Sequence, residues 1–502
     1  MFKLLVNPPV QKSIYNYIPW FIIAILSVSL IGLSFSKALF TSFTHDESFT
    51  FNHFVHSSIS DIFTYKYVSA NNHLLNTLLM KLFGHCFGES EIILRLPNII
   101  AHAGYILFSL LILRRLNPWL ILPLFTLLNF NPYFLDFFSL ARGNGLSYCF
   151  LLGSVYFFLK YTISLQGKYY CYSLLSAFLG VLSHFVMLYY FLSLIMVYNL
   201  WPFISRYIRQ IPYNFNLKQW LWQNTINVFG IILLAVLLVG PVRKLILYNQ
   251  LFYGGDRGFW IDTVLSLIQT SLYGCRYATV AEKIIEIFIL IVLLGNSLFF
   301  GYILLFKKKD LYGKNQLLLL VFLLLILAAF INMIQFYIFG TKLLIRRFGL
   351  LFFPLFMLDL CFLSQSLIRI KQVKFMVLSM ICVLSFFVTL HTCRAFSPVK
   401  YLDWEYETDT KTMVNILKKR ITQNTPDDSI VLGCSWVYSP TINFYKDIYN
   451  LNWLKATDKE NPLPVNATYF FMQKEELSKI PIANRRFNIL FDSEISILVR
   501  VF

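Results

Sequence analysis

The stretch THDESFTFNHF, residues 44–54, follows directly on an apolar run that starts near Pro19. It sets two adjacent acids, Asp46 and Glu47, at the exit of a first membrane span, with His45 and His53 on either side. Thr44 and Glu47 have the spacing of a capping box, in which an N-cap hydroxyl and a glutamate three residues later satisfy each other's backbone amides. From Phe51 the apolar residues recur at 51, 54, 55, 59, 62 and 63, one face of a helix. The opposite face carries Asn52, His53, Ser60 and Asp61. So amphipathic a helix beside a membrane exit is expected to lie in the interface plane. Two readings of the acids are open. Either both cap a surface helix, or Glu47 caps it and Asp46, about 100° further round, stays ionised near the positive end of the helix and free to accept a proton.

The chain around this stretch reads as a polytopic membrane protein. Of its 502 residues 57% are hydrophobic and only 14% charged, against about 25% charged in soluble domains; mean hydropathy is +0.63. Many stretches of roughly 18 or more residues lack charge, the length that crosses about 30 Å of hydrocarbon. The first run is too long, and too heavily followed by others, for a cleaved signal peptide. The net charge of +18 suggests nucleic acid only until the charges are placed. Lys and Arg clump between apolar segments at every second loop: Lys3 and Lys12, Arg114 and Arg115, Lys160 and Lys168, Arg206, Arg209 and Lys218, Lys307 to Lys309 with Lys314, and Arg369, Lys371 and Lys374. That is the positive-inside pattern, whereas a nucleic-acid binder would carry a continuous basic stripe on one soluble domain.

With those loops cytoplasmic, spans are expected near 19–40, 91–113, 117–134, 143–160, 169–184, 186–205, 220–241, 283–306, 315–340, 348–368 and 375–395. Eleven spans put the N-terminus in the cytoplasm and the C-terminus outside, in a plasma (inner) membrane that is taken to be bacterial. Residues 1–396 then form a mainly α transmembrane helical bundle with long outer loops at 42–90 and 242–282. Residues 397–502 change character: acids accumulate, strand-like runs appear at 429–433, 467–472 and 487–492, and 408–421 has helical spacing. A small extracytoplasmic α/β domain is predicted there. The eight cysteines are scattered without a C-x-x-C, which points to neither a zinc site nor a disulfide framework. The Asn466-Ala467-Thr468 sequon is read as chance.

An Asp-Glu pair just after the first span resembles the signature of the GT-C glycosyltransferases, the protein O-mannosyltransferases and bacterial aminoarabinose transferases among them. SANNHLLNTLLMKLFG (69–84) is similar to the family's N-H-P-P-L segment, with Leu74 and Leu75 in place of its prolines. SEIILRLPNIIA (90–101) resembles its R-L-P-S motif through Arg95, Leu96 and Pro97. FFSLARGNGLSY (137–148) resembles its A-R motif, and TKLLIRRFGLLFFPLF (341–356) its late R-Y-x-x-P-x-x-P segment, with Phe348 for Tyr. The likeness covers residues 35–205 well and 340–360 loosely; the middle loop and the tail lie outside it.

The resemblance implies transfer of a sugar from a polyprenyl-phosphate donor, with inversion, to a lipid, glycan or protein acceptor at the outer membrane face. The acceptor hydroxyl then needs a base, for which Asp46 is the candidate; the Asp-Glu signature places Glu47 beside it in the catalytic set. The leaving phosphate needs cations or hydrogen-bond donors. Arg142, Arg346 and Arg347 match family motifs, and His73 and Asn72 stand in the N-H segment. Arg257, in GGDRGFW (254–260) of the second outer loop, is a further candidate, the loop reading either as a substrate lid or as an ordinary interfacial loop. Other outer cations, Arg243, Lys244, Arg276 and Lys342, read rather as neutralising headgroups or snorkelling from span ends. Arg95 and Asp136 need partners so near the membrane; Glu89 or Glu91 is expected to pair with Arg95. A divalent cation held by Asp46 and Glu47 remains open. The competing classes are a transporter or flippase, whose internal repeats and broken midplane spans are not seen, and a glycan polymerase or ligase with its catalytic loop late in the chain.

Overall fold

The computed structural model describes residues 18–209, 217–274, 278–306, 315–422, 430–458, 460–479 and 486–502. Arg276, several of the basic-loop lysines and Ser429 lie outside them. Among the described residues nine helices are long and apolar enough to cross a membrane: Ile18–Phe40, Glu91–Leu113, Gly143–Ser164, Met187–Ile204, Leu217–Leu247, Thr279–Tyr302, Gln316–Phe339, Arg346–Leu367 and Lys371–Ala395. At 1.5 Å per residue, 20 residues or more cover the roughly 30 Å of a bilayer core. Their outward faces carry exposed Phe21, Val236, Leu298 and Phe375, a surface that suits lipid and not water.

One expected span is shorter than anticipated. Residues 117–134 form a 12-residue helix, Pro118–Asn129, and then a separate turn of helix, Pro132–Asp136. The break follows from Asn131-Pro132: the proline cannot continue the first helix, and Asn131 Oδ1 caps the second by accepting from Phe134 N at 3.0 Å. Twelve residues rise only about 18 Å. The charge-free run 169–205 divides as expected, into Gly167–Ser183 and Met187–Arg209, with His184 between them.

The first outer loop is capped as its sequence indicates, but the single helix expected from Phe51 to Phe63 is interrupted. His45–Thr50 is followed by a π-turn, Phe51–Val55, and a new helix, Ile59–Thr64, starts at Ser58. Ser58 Oγ accepts from Asp61 N at 3.1 Å, so a local N-cap competes successfully with helix continuation. The apolar face survives the break: Phe51, Phe54, Val55 and Ile62 are buried.

The tail folds into four strands in the order β1 (Leu432–Cys434), β2 (Tyr469–Gln473), β4 (Ser496–Val501), β3 (Phe487–Asp492). β1 and β2 are parallel, and β4 is antiparallel to both β2 and β3. Side chains alternate across the sheet. Phe471 and Leu498, paired in register, join the core with Met413 and Leu417 of the Thr410–Thr422 helix, while Phe470, Met472, Val499 and Val501 form a second core on the other face.

This tail is docked on the first outer loop. Phe43 stacks on Phe444 of the Ser439–Ile448 helix with ring centres 4.1 Å apart, and Phe51 meets the same ring edge-on. Tyr445 Oη accepts from Phe43 N at 2.9 Å and donates to Glu91 at 2.5 Å; Lys411 also meets Glu91 at 2.5 Å. The loop bearing Asp46 therefore lies between the membrane bundle and the tail.

Candidate active site

Glu47 organises the site without facing it. Its Oε2 accepts from Thr44 N at 2.9 Å, and Thr44 Oγ1 accepts from Glu47 N at 3.4 Å, closing the capping box. Arg95 grips the same carboxylate in a two-point fork at 2.8 and 2.7 Å. Its remaining N–H groups donate to the carbonyls of Ala38, Thr41 and Ser42. Neither Arg95 nor Glu47 is solvent-exposed. Glu47 Oε1 also accepts from Ala141 N at 2.6 Å. One carboxylate thus ties the Asp-Glu turn to the Arg-Leu-Pro helix and to the Ala141-Arg142 corner. The expected pairing of Arg95 with Glu89 or Glu91 is not found: Arg95 points inward to Glu47, while Glu91 turns outward to Lys411 and Tyr445.

Asp46, one residue earlier, faces a cavity of about 300 Å³. Its Oδ1 accepts from Asn71 Nδ2 at 3.2 Å. Its Oδ2 lies 3.4 Å from Arg142 Nη2 and 3.6 Å from Arg347 Nη2, yet accepts no hydrogen bond among the described residues. Burial alone would raise this carboxyl, but Arg142 and Arg347, with His45 and the Asn71 bond, together hold it below the usual aspartate range. Asn71 Oδ1 accepts from Arg142 Nη1 at 3.1 Å, fixing base and cation relative to each other.

Arg142 is aimed by a close crossing. It precedes the Gly143–Ser164 helix, and a Cβ on Gly143 would stand 1.7 Å from the Ser183 carbonyl oxygen and 3.0 Å from His73 Cβ. Only glycine lets the helix start so near that neighbour. His73, at the N-cap of Leu74–Phe87, stacks on His184 at 4.7 Å. Both ring nitrogens of His73 are buried without a hydrogen-bond partner among the described residues. Burial first, then Arg142, His184 and Arg347, hold its pKa well below the ordinary histidine value, so the ring is neutral at physiological pH. Asn72 is fully buried and structural in its bonds: it donates to Ile62 O at 2.9 Å, accepts from Thr77 Oγ1 at 3.0 Å, and its carbonyl accepts from Tyr65 Oη.

Arg346 and Arg347 reach the cavity from the other end of the chain. Arg346 has φ +47°, a left-handed conformation unusual for a non-glycine residue, and its backbone N donates to Ser266 Oγ at 3.0 Å. Arg347 lies over the Trp404 ring at 4.8 Å. The Nε of Arg142, of Arg346 and of Arg347 is buried without a hydrogen-bond acceptor among the described residues. Two of these arginines, Arg142 and Arg347, flank the open oxygen of Asp46, and the third, Arg346, lines the same cavity.

Arg257 does not join them. Its side chain is 72% exposed and pairs with Asp262 at 3.2 Å. The GGDRGFW loop is pinned by paired backbone hydrogen bonds between Gly255 and Leu343, both 2.9 Å, and by Asp262 Oδ2 accepting from Arg257 N and Gly258 N. Tyr253, just before it, lines the cavity instead. The tail contributes Asp403, Trp404, Tyr406 and Trp436, none of which the motifs single out; the dense acid-aromatic run 402–409 after the last span was the signal. His45 also lines the cavity and is fixed by a 2.7 Å bond to Val437 O. Among the described residues no three His, Cys, Asp or Glu side chains gather as a metal-binding group, and the oxygens of Glu47 are committed to Arg95, Thr44 and Ala141. Asp136 finds its partner in Lys37, 2.5 Å away and equally buried.

No family model matches the sequence, and no curated protein matches it. Among solved structures, the chain is similar to ArnT from Cupriavidus metallidurans bound to undecaprenyl phosphate, with a TM-score of 0.44 and 11% identity over 97% of this chain and 98% of that one. It is also similar to the apo state of the same protein, with a TM-score of 0.40 and 12% identity over 95% and 97% of the two chains.

Proposed function

We propose that this chain is an integral membrane glycosyltransferase of the GT-C type. It moves a sugar from a polyprenyl-phosphate donor to a lipid, glycan or protein hydroxyl, with inversion and with Asp46 as general base. In this reading residues 1–396 hold the membrane part and 397–502 an extracytoplasmic domain, with the N-terminus in the cytoplasm of a bacterial cell. The observation that carries it is the open Oδ2 of Asp46 set between the guanidinium groups of Arg142 and Arg347, with Arg346 lining the same cavity and, among the described residues, a buried Nε without an acceptor on each of the three.

Such a cluster suits a phosphoryl oxyanion, because guanidinium offers planar, two-point donation that an ammonium lacks. A phosphate is a stable leaving group and needs charge stabilisation more than a general acid. Held by two of those cations, Asp46 is a weak base. A donor phosphate that engages Arg142 and Arg347 takes them from Asp46, which raises the proton affinity of the carboxylate when an acceptor hydroxyl must be deprotonated. The acceptor oxygen then attacks the anomeric carbon opposite the phosphate. Trp404, Tyr406, Trp436 and Tyr253 provide ring faces against which a sugar can lie.

The reading is tested by incubating the purified full chain with labelled polyprenyl-phosphate sugars and a membrane extract as acceptor source. Release of polyprenyl phosphate is expected with at least one donor. Absence of donor consumption with every sugar and acceptor would contradict it.

A further inference from the structure

The segment that follows the last membrane helix enters the site through Asp403. It lies on the turn of 3-10 helix Leu402–Asp409, and its side chain is only 7% exposed. One oxygen meets Arg346 Nη2 at 2.9 Å. The other accepts from Tyr133 Oη at 2.8 Å and faces Arg347 Nη1 at 3.5 Å. The segment is anchored just upstream, where the Tyr401 hydroxyl donates to Ser139 O at 3.0 Å and accepts from Thr41 Oγ1 at 2.9 Å. Arg347 is thus suspended between two carboxylates at nearly equal range, Asp46 at 3.6 Å and Asp403 at 3.5 Å.

We propose that Asp403 is a positioning residue of the transfer reaction: it fixes the Arg346–Arg347 pair and trims the site to a single surplus positive charge, matched to a phosphodiester. This rests on the function proposed above. The cavity is lined by Arg346 and Arg347 against Asp46 and Asp403, and Arg142, buried 3.4 Å from Asp46, brings the count of arginines over aspartates to a surplus of one. The other carboxylates and His73 do not alter this count. Glu47 is neutralised by Arg95 and Asp136 by Lys37. His73 is neutral, and Glu407, which faces Asp46, is buried and pushed up to about 8, bonded to Thr410 and Thr441. His45, Tyr133 and Tyr406 complete the surroundings of the two acids.

A sugar phosphodiester brings one negative charge and makes the site neutral. In the transfer the anomeric carbon–oxygen bond to phosphate breaks with its electron pair left on the phosphate. A new bond forms to the acceptor oxygen, and the acceptor proton passes to Asp46. The phosphate gains the charge that Asp46 loses, so the total is unchanged between substrate and product. Without Asp403 the surplus would be two. The departing polyprenyl phosphate would be held too tightly, and Arg347 would lean on Asp46 and weaken it as a base.

The test uses the full-length protein as wild type, Asp403→Asn, Asp403→Glu, Arg346→Gln and the Asp403→Asn/Arg346→Gln double variant. Inhibition of transfer by polyprenyl phosphate and the acid limb of the kcat/KM pH profile are measured for each. For Asp403→Asn the inhibition constant is expected to fall about tenfold, since hydrogen-bonded charge contacts are strong enough for one decade. Its kcat falls more than its KM, and the acid limb moves to lower pH. Asp403→Glu restores both readouts towards wild type, and the double variant, with its surplus back at one, restores the inhibition constant. An Asp403→Asn enzyme with wild-type inhibition and an unmoved acid limb, however slow, would overturn the proposal. Should Asp403→Asn fail to fold, Arg346→Gln and the double variant decide: equal inhibition constants in the two would overturn it as well. Full activity in Asp46→Asn would instead remove the base assignment, an outcome these inhibition constants do not share.

Discussion

The two acids of the opening stretch are one residue apart in sequence and opposite in circumstance. Glu47 is sealed by a two-point arginine fork and two backbone amides, while one oxygen of Asp46 accepts no hydrogen bond among the described residues. The capping-box spacing made the first half of that division readable, because it is a local pattern. That Arg95 would be the partner was not readable, since the pairing spans 48 positions and only the fold brings them together. Glu47→Gln should leave Arg95 buried without a counter-charge and cost about 3–5 kcal/mol, seen as a marked fall in the unfolding temperature in detergent. His73 gives a pH signature. Its folded-state pKa is depressed, whereas the unfolded chain binds a proton near pH 6.5. Its contribution to stability is therefore complete above about pH 6.5 and is lost as pH falls towards the folded value. Thermal unfolding followed from about pH 8 to about pH 5 should show that decline, and His73→Gln should flatten it.

At the scale of elements, the helix starts do most of the placing. Arg142 and His73 both stand at N-caps, and they converge because Gly143 allows the Gly143–Ser164 helix to approach Ser183 within the reach of a missing Cβ. Gly143→Ala has nowhere to put its methyl. It should cost at least about 1–3 kcal/mol by overpacking, and move Arg142 off Asp46, so donor KM rises even in the protein that folds. Most spans were legible because a run of roughly 20 apolar residues has few other fates in a bilayer. The exceptions turned on single polar or cyclic residues: Asn131-Pro132 divides an expected span, and Ser58 divides an expected interfacial helix. In both, a side-chain cap outweighs an otherwise continuous apolar pattern, and hydrophobic periodicity is blind to that competition.

Taken as a whole molecule, the tail is part of the site and not an appendage to it. Asp403, Trp404, Tyr406 and Trp436 line the cavity, and Phe444 anchors the tail on Phe43 and Phe51 of the Asp46 loop. The sheet's strands were foreseeable from alternation in 467–472 and 487–492; the docking was not, because nothing in a strand pattern says which surface its domain will cover. Phe444→Ala should remove about 3–5 kcal/mol of packing and lower activity together with tail stability, read as faster proteolysis of residues beyond Ala395 in the otherwise intact protein.

The central claim is that Asp46 takes the acceptor's proton. Asp46→Asn keeps the shape and the Asn71 contact but removes the basic oxygen. Measured as polyprenyl phosphate released from a labelled lipid-linked sugar, its turnover should fall about a hundredfold to ten-thousandfold, with donor binding retained. Turnover equal to wild type would contradict the account.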